Sequence, residues 1–101
     1  LSVKQRAKRC MSKFRKAARN EHCIVRLPGC LLGTETTVLA HLPNRSMGKK
    51  NHDLNAAFVC HSCHDILDGR VMNDFDRDWL DHRHRVGQER TIDRFHELGL
   101  L

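Results

Sequence analysis

The sequence has no apolar run approaching the roughly twenty residues that a membrane helix needs, and it has no signal-peptide pattern. The first absence excludes a helical membrane span; the second argues against secretion and for a reducing cytoplasm. There is also no internal repeat, no low-complexity segment and no sign of a second domain, so a single small domain over residues 1–101 is expected. The chain starts at Leu1 rather than at Met, and its natural start is expected upstream. Acidic residues are scarce in the first half. Residues 1–52 hold 2 of them against 12 Lys/Arg, a local charge of +10, whereas residues 53–101 hold 10 against 6, a charge of −4. A pole of that size attracts polyanions, so DNA is the expected partner, RNA stays open as another, and no membrane partner is implied. A solvated basic helix with no partner is the plainer explanation of the same charges.

Even-numbered cysteine pairing is missing as well. There are 5 cysteines, and no βαβ pattern surrounds the one Cys-x-x-Cys pair, so neither a disulfide framework nor a thioredoxin-like redox motif fits well. What is present is the stretch Val59-Cys60-His61-Ser62-Cys63-His64-Asp65. A Cys-x-x-Cys turn lets two thiolates face one tetrahedral ion, for which zinc is the usual occupant. Upstream, Cys23 and Cys30 flank Pro28-Gly29 and could complete a four-cysteine site. Their separation by six residues makes this first knuckle irregular, and His22 could stand in for a thiol. Cys10 has no evident partner. A domain of this size buries a modest core, and a structural zinc would reinforce it. His64 is then spare.

The local pattern supports an α+β chain. From 2 to 20, eight Lys/Arg alternate with Val3, Ala7, Cys10, Met11, Phe14, Ala17 and Ala18 at helical intervals, which predicts a basic amphipathic helix. Thr36-Thr37-Val38-Leu39 predicts a strand ending at His41, and Ala56-Ala57-Phe58-Val59 a second strand that delivers Cys60. Between them, Leu42 to His52 is a loop carrying Arg45, Lys49 and Lys50. A short helix is expected from Ser62, as N-cap, to Asp68, with Gly69 as its stop. Two closing helices within 73–101, parted near Gly87, follow from Phe75, Trp79 and Leu80 and then Ile92, Phe95 and Leu98. His82, His84 and His96 are expected to be solvated, and the aspartates from Asp65 to Asp78 to supply helix-start charge.

The order strand, His41, basic loop, Asn55, strand, Cys60-x-x-Cys63-His64, helix resembles the HNH, or ββα-metal, nuclease motif over residues 22–69. More closely, Thr36 to His41, Cys60 to Asp65 and Asp68-Gly69-Arg70 resemble the YbcO-like prophage nuclease family, itself related to the phage recombination nuclease Ref. The resemblance implies a treble-clef or ββα-metal domain clamped by structural zinc on Cys23, Cys30, Cys60 and Cys63. It also implies His41 as general base, Asn55 as the residue that props the loop and orients the base, and His64 as ligand of a catalytic Mg²⁺ or other divalent ion. The implied activity is metal-dependent cleavage of DNA phosphodiesters in phage recombination. Imidazole suits that chemistry, because it can take a proton from water near neutral pH.

Each residue has a plainer role to set beside this. His41 could be a core histidine or a zinc ligand, His64 a zinc ligand that leaves Cys63 free, and Asn55 a turn cap. The sequence also departs from the motif at Ala40, where many ββα-metal nucleases carry a further metal ligand. His64 would then be the sole expected protein ligand, with His52, Asp53 or water completing the shell. The alternative function is a non-catalytic zinc module that binds DNA or another protein.

Overall fold

The computed structural model describes residues 12–43 and 52–101, which excludes Cys10, the first part of the expected basic helix, and the Arg45, Lys49 and Lys50 loop. Five elements follow in order: α1 (Lys13–Ala18), β1 (Val38–His41), β2 (Ala56–Val59), α2 (His61–Leu67) and α3 (Arg77–Glu97). They form a small α+β domain.

The strands pair antiparallel, with Val38 opposite Val59, Leu39 opposite Phe58, Ala40 opposite Ala57 and His41 opposite Ala56. A two-stranded hairpin alone is marginal in water, and here helices cover it. The period-2 alternation divides the core. Ala40, Ala57 and Val59 pack with Val25, Leu27, Cys60, Cys63, Ile66 and Leu80, while Phe58 packs with Ala18 and Phe95, against which Phe14 and Leu39 also lie. Phe95 sits at the centre of the second cluster, edge-on to Phe58 at 5.3 Å and tilted against Phe14 at 4.7 Å. Every residue of β2 is buried.

α3 is one continuous helix of 21 residues, not two parted near Gly87. Its buried face runs Leu80, His84, Gly87, Thr91, Phe95, a regular helical stripe containing only two large apolar side chains. Gly87 lies where the helix touches both the loop before β1 and the sheet: a Cβ there would stand 2.6 Å from Val25 Cγ2 in the loop and 3.3 Å from Ala57 Cβ in β2. Thr91 Oγ1 accepts from Phe58 N at 3.1 Å and donates to Gly87 O at 2.8 Å, satisfying the outward-facing amide of β2. Thus the missing side chain of Gly87 brings helix and sheet into contact and does not break the helix.

The cap of α2 lies two residues earlier than expected. It is Cys60, whose Sγ accepts from Cys63 N, while Ser62 Oγ donates to Gly29 O at 3.1 Å. The expected Ser62 cap is thus displaced by a thiol. The stop is as expected: Arg70 N donates to Asp65 O and Gly69 N to Ile66 O, with Gly69 at φ 74°, the paired bonds of a Schellman ending.

Candidate functional site

Cys23, Cys30, Cys60 and Cys63 converge so that their sulfurs all lie within 4.8 Å of one another. The upper pair comes from the loop before β1, the lower pair from the start of α2. Backbone amides point at the sulfurs: Arg26 N at Cys23 Sγ (3.4 Å), Leu32 N at Cys30 Sγ (3.4 Å), and both Leu31 N and Cys63 N at Cys60 Sγ (3.5 Å each). Two of the four donors, Arg26 and Leu32, adopt positive φ, 51° and 63°, conformations that side chains rarely take without compensation. Arg83 of α3 holds the turn, its Nη2 donating to Val25 O at 2.8 Å. A neutral thiol gains little from N–H donors, whereas a thiolate gains a great deal. The hydrogen bond from Cys63 outweighs the effect of burial and, with the Arg26 amide, holds Cys23 down to about 5. The same shared proton, and burial after it, push Cys63 well above the usual thiol range, and burial pushes Cys30 up. By the convergence of their sulfurs the four cysteines could hold a metal ion, and Cys30, not the exposed His22, completes that set.

A second feature lies apart from the sulfurs. His41 at the end of β1 and His64 in α2 line a single cleft of about 580 Å³, together with Arg15 of α1, Arg19 at its C-cap, Thr37 and Asp68. His64 Nε2 stands 3.1 Å from Asp68 Oδ2, one helical turn on. His41 Nε2 stands 2.8 Å from Asp53 Oδ1. Asp53 also accepts from Ser12 Oγ and from Arg15 Nε, the latter at 3.3 Å. Burial works against its charge, but the bonds from Ser12 and His41 and the Arg15 guanidinium prevail and hold the carboxyl below its ordinary value. Ionised, it can only accept, so His41 Nε2 carries the hydrogen.

Asn55 sits just before β2 and ties the loop together. Its carbonyl accepts from Leu42 N at 2.9 Å, its amide donates to His52 O at 2.8 Å, and its Oδ1 accepts from Gln88 Nε2 at 3.3 Å. Of the three helix histidines, His82 and His96 are exposed, but His84 is buried. His84 Nε2 donates to Ala40 O at 2.8 Å, next to His41, and burial lowers its basicity. Its place in the α3 stripe, four residues after Leu80 and three before Gly87, was the available signal. Among the described residues the four cysteines are the one set of three or more metal-ligating groups; the cleft does not form another. No helix among the described residues is long and apolar enough to cross a membrane.

The family model "Putative nuclease YbcO" matches residues 12–100. A protein of Escherichia coli K12 named "Putative nuclease YbcO" is 45% identical over 65 residues, covering 60% of this chain and 68% of its own. A protein of Enterobacteria phage 82 with the same name aligns to the same extent. The solved structure of a "putative bacteriophage protein" from E. coli K-12 superposes with a TM-score of 0.72 at 36% identity, covering 86% of this chain and 100% of that one. With the motif, the fold and the match over most of its length in agreement, the chain belongs to the YbcO family.

Proposed function

We propose that the protein is a metal-dependent endonuclease of HNH, or ββα-metal, type that hydrolyses DNA phosphodiesters in phage recombination. The observation that carries this is the shared cleft: His41 and His64, delivered by a strand and a helix, face one space with Arg15 and Arg19, away from the cysteine cluster. The names of the relatives point to the same class. The sequence of parts also suits a treble clef: a Cys23–Cys30 knuckle, a hairpin, then a helix opening on Cys60 and Cys63.

Zinc is the ion that suits four thiolates at this spacing, and it would fix the start of α2 and hence His64. His41 takes the proton of the attacking water. Asn55 props the loop from Leu42 to His52 through its backbone bonds and through Gln88. Arg15 and Arg19 hold phosphates that flank the scissile bond. His64, with the Asp68 carboxylate beside it, offers the nitrogen and oxygen donors that would hold Mg²⁺ or a transition-metal ion. Such an ion, when bound, polarises the phosphoryl oxygen and stabilises the leaving alkoxide.

Plasmid nicking is the test. Zinc-loaded wild type should cut DNA with Mg²⁺ or Mn²⁺, and His41→Ala should lose ~10²–10⁴-fold in rate while retaining zinc and DNA binding. Equal cutting by the variant would remove His41 as base. A specific observation favours the alternative, a non-catalytic zinc-binding DNA or protein module: Ala40 supplies no ligand, and no third ligating group joins His64 and Asp68 among the described residues. Wild type that binds DNA but cuts with no divalent ion would establish that alternative.

A further inference from the structure

We infer that Asp53, rather than Asn55, is the positioning residue for His41: it accepts from Nε2, fixes the imidazole in one tautomer, and leaves Nδ1 as the nitrogen that receives a proton. The inference rests on the proposed role of His41 as general base.

Three observations point this way. Asp53 Oδ1 lies 2.8 Å from His41 Nε2, a full hydrogen bond between two largely buried side chains that are 23% and 13% exposed. The carboxylate is itself held in place, because Ser12 Oγ donates to its second oxygen while Arg15 Nε donates to the first. The Asn55 side chain, by contrast, accepts from Gln88 Nε2 on α3, and its main chain carries the loop. The loop-propping and base-orienting functions are thus divided between two residues.

The division has a chemical consequence. A neutral imidazole has one nitrogen with a hydrogen and one without, and only the bare one can act as base. An ionised carboxylate on Nε2 demands the hydrogen there, so the lone pair is at Nδ1. When His41 accepts the proton from water, both nitrogens carry hydrogen, and Asp53 stabilises the positive ring that results. The proton moves from water to Nδ1, hydroxide attacks phosphorus, and the alkoxide oxygen of the broken ester leaves. Asp53 itself neither gains nor loses a proton. The pairing also links α1 to the base: Ser12, which caps the helix, and Arg15 both reach His41 through this carboxylate.

Nitrogen-15 NMR of the imidazoles reads the tautomer directly, without activity. In zinc-loaded wild type without Mg²⁺, at about pH 8.5 where free imidazole is neutral, the His41 spectrum should show hydrogen on Nε2 and a bare Nδ1. In Asp53→Ala, which leaves Nε2 without its acceptor, the single tautomer should give way to a mixture of both. Asn55→Ala should leave it as in wild type. Hydrogen on Nδ1 in wild type, or an unchanged single tautomer in Asp53→Ala, overturns the inference. The wild-type spectrum decides even if a variant fails to fold.

Kinetics then separates orientation from metal binding. At saturating Mn²⁺, Asp53→Asn should lose ~10–100-fold in kcat with little change in KM for DNA, the usual size for a residue that orients a functional imidazole. If higher Mn²⁺ restores the rate, Asp53 is a ligand of the ion and the inference fails. A wild type that cuts nothing would instead remove the nuclease proposal and the catalytic part of the inference, while the spectra still decide whether Asp53 fixes His41.

Discussion

His84 illustrates how a single buried side chain serves the cleft without entering it. Its Nε2–H donates to Ala40 O, so the strand residue just before His41 is anchored to α3. Its spacing from Leu80 and Gly87 is the one feature that sets it apart from His82 and His96, and that spacing carries weight only once Gly87 is known to lie inside a single helix. Burial outweighs the bond to Ala40 and the nearby Asp68 and Asp81, and lowers its value from the ordinary 6.5. The native state therefore keeps His84 neutral at a pH where the unfolded chain has taken up a proton. Stability contributed by this site is present above about pH 6.5 and is lost as pH falls from there toward the lower folded value. His84→Gln, whose amide can also donate to Ala40, should lose less stability than wild type across that window. Urea midpoints measured from pH 7.5 downward check this; parallel losses would assign the acid sensitivity to other groups, the cysteines first among them.

At the scale of elements, the parts that carry strong local chemistry were legible and those fixed by packing were not. Two β-branched or apolar runs predicted the strands, and Ala56–Val59 matches the observed β2. Gly69 marked the end of α2, because only a residue at ease with positive φ closes that helix so tightly. Gly87 misled for the opposite reason. Glycine in a helix interior costs about 1 kcal/mol relative to alanine, so in isolation it suggests a break. Here it is tolerated because Val25 of the cysteine loop and Ala57 of β2 come too close for any side chain, a fact that only the tertiary packing supplies. Gly87→Ala should therefore destabilise the protein in spite of its better helix propensity. The added Cβ would meet Val25 Cγ2 at 2.6 Å, and overpacking of this kind costs roughly 1–3 kcal/mol, more than the propensity gain. Thermal unfolding with a higher midpoint in the variant would contradict that balance. The four cysteines were legible as a set because thiols have few other uses in a reduced small domain, whereas the pairing of His41 with Asp53 spans 12 residues and a loop with no fixed spacing.

In the whole molecule, metal and charge act on different properties. Cys23 and Cys30 lie before the hairpin and Cys60 and Cys63 after it, so one ion would tie the chain across most of its core. Cys60→Ser should accordingly lose zinc and much of the helical signal, since binding of structural zinc can contribute on the order of 10 kcal/mol to folding. A folded, metal-free variant with normal circular dichroism would show that the core stands without it.

Under the proposed function, charge would govern the approach of DNA. The +10 half of the sequence predicts salt-sensitive binding with little base preference, but the fold divides the cations of α1 and its C-cap between two surfaces. Arg15 and Arg19, one turn apart, line the cleft with His41 and His64. Lys13 and Lys16 border a separate hollow with Asn20, Glu21, Leu98 and Leu100. If DNA enters the cleft, only the first pair meets phosphates. Removing one cation from a phosphate should flatten the slope of log affinity against log salt by ~0.9 on duplex DNA. Arg19→Gln should thus remove about one unit of slope, whereas Lys13→Gln with Lys16→Gln should leave it nearly unchanged. Arg15 also holds Asp53, so its replacement would disturb the base as well as the salt dependence. Fluorescence anisotropy of a labelled duplex over a range of potassium chloride measures the slopes. The reverse outcome, with the slope flattened by the lysine substitutions and untouched by Arg19→Gln, would put the bound duplex on the Lys13 face and leave His41 too far from it to act.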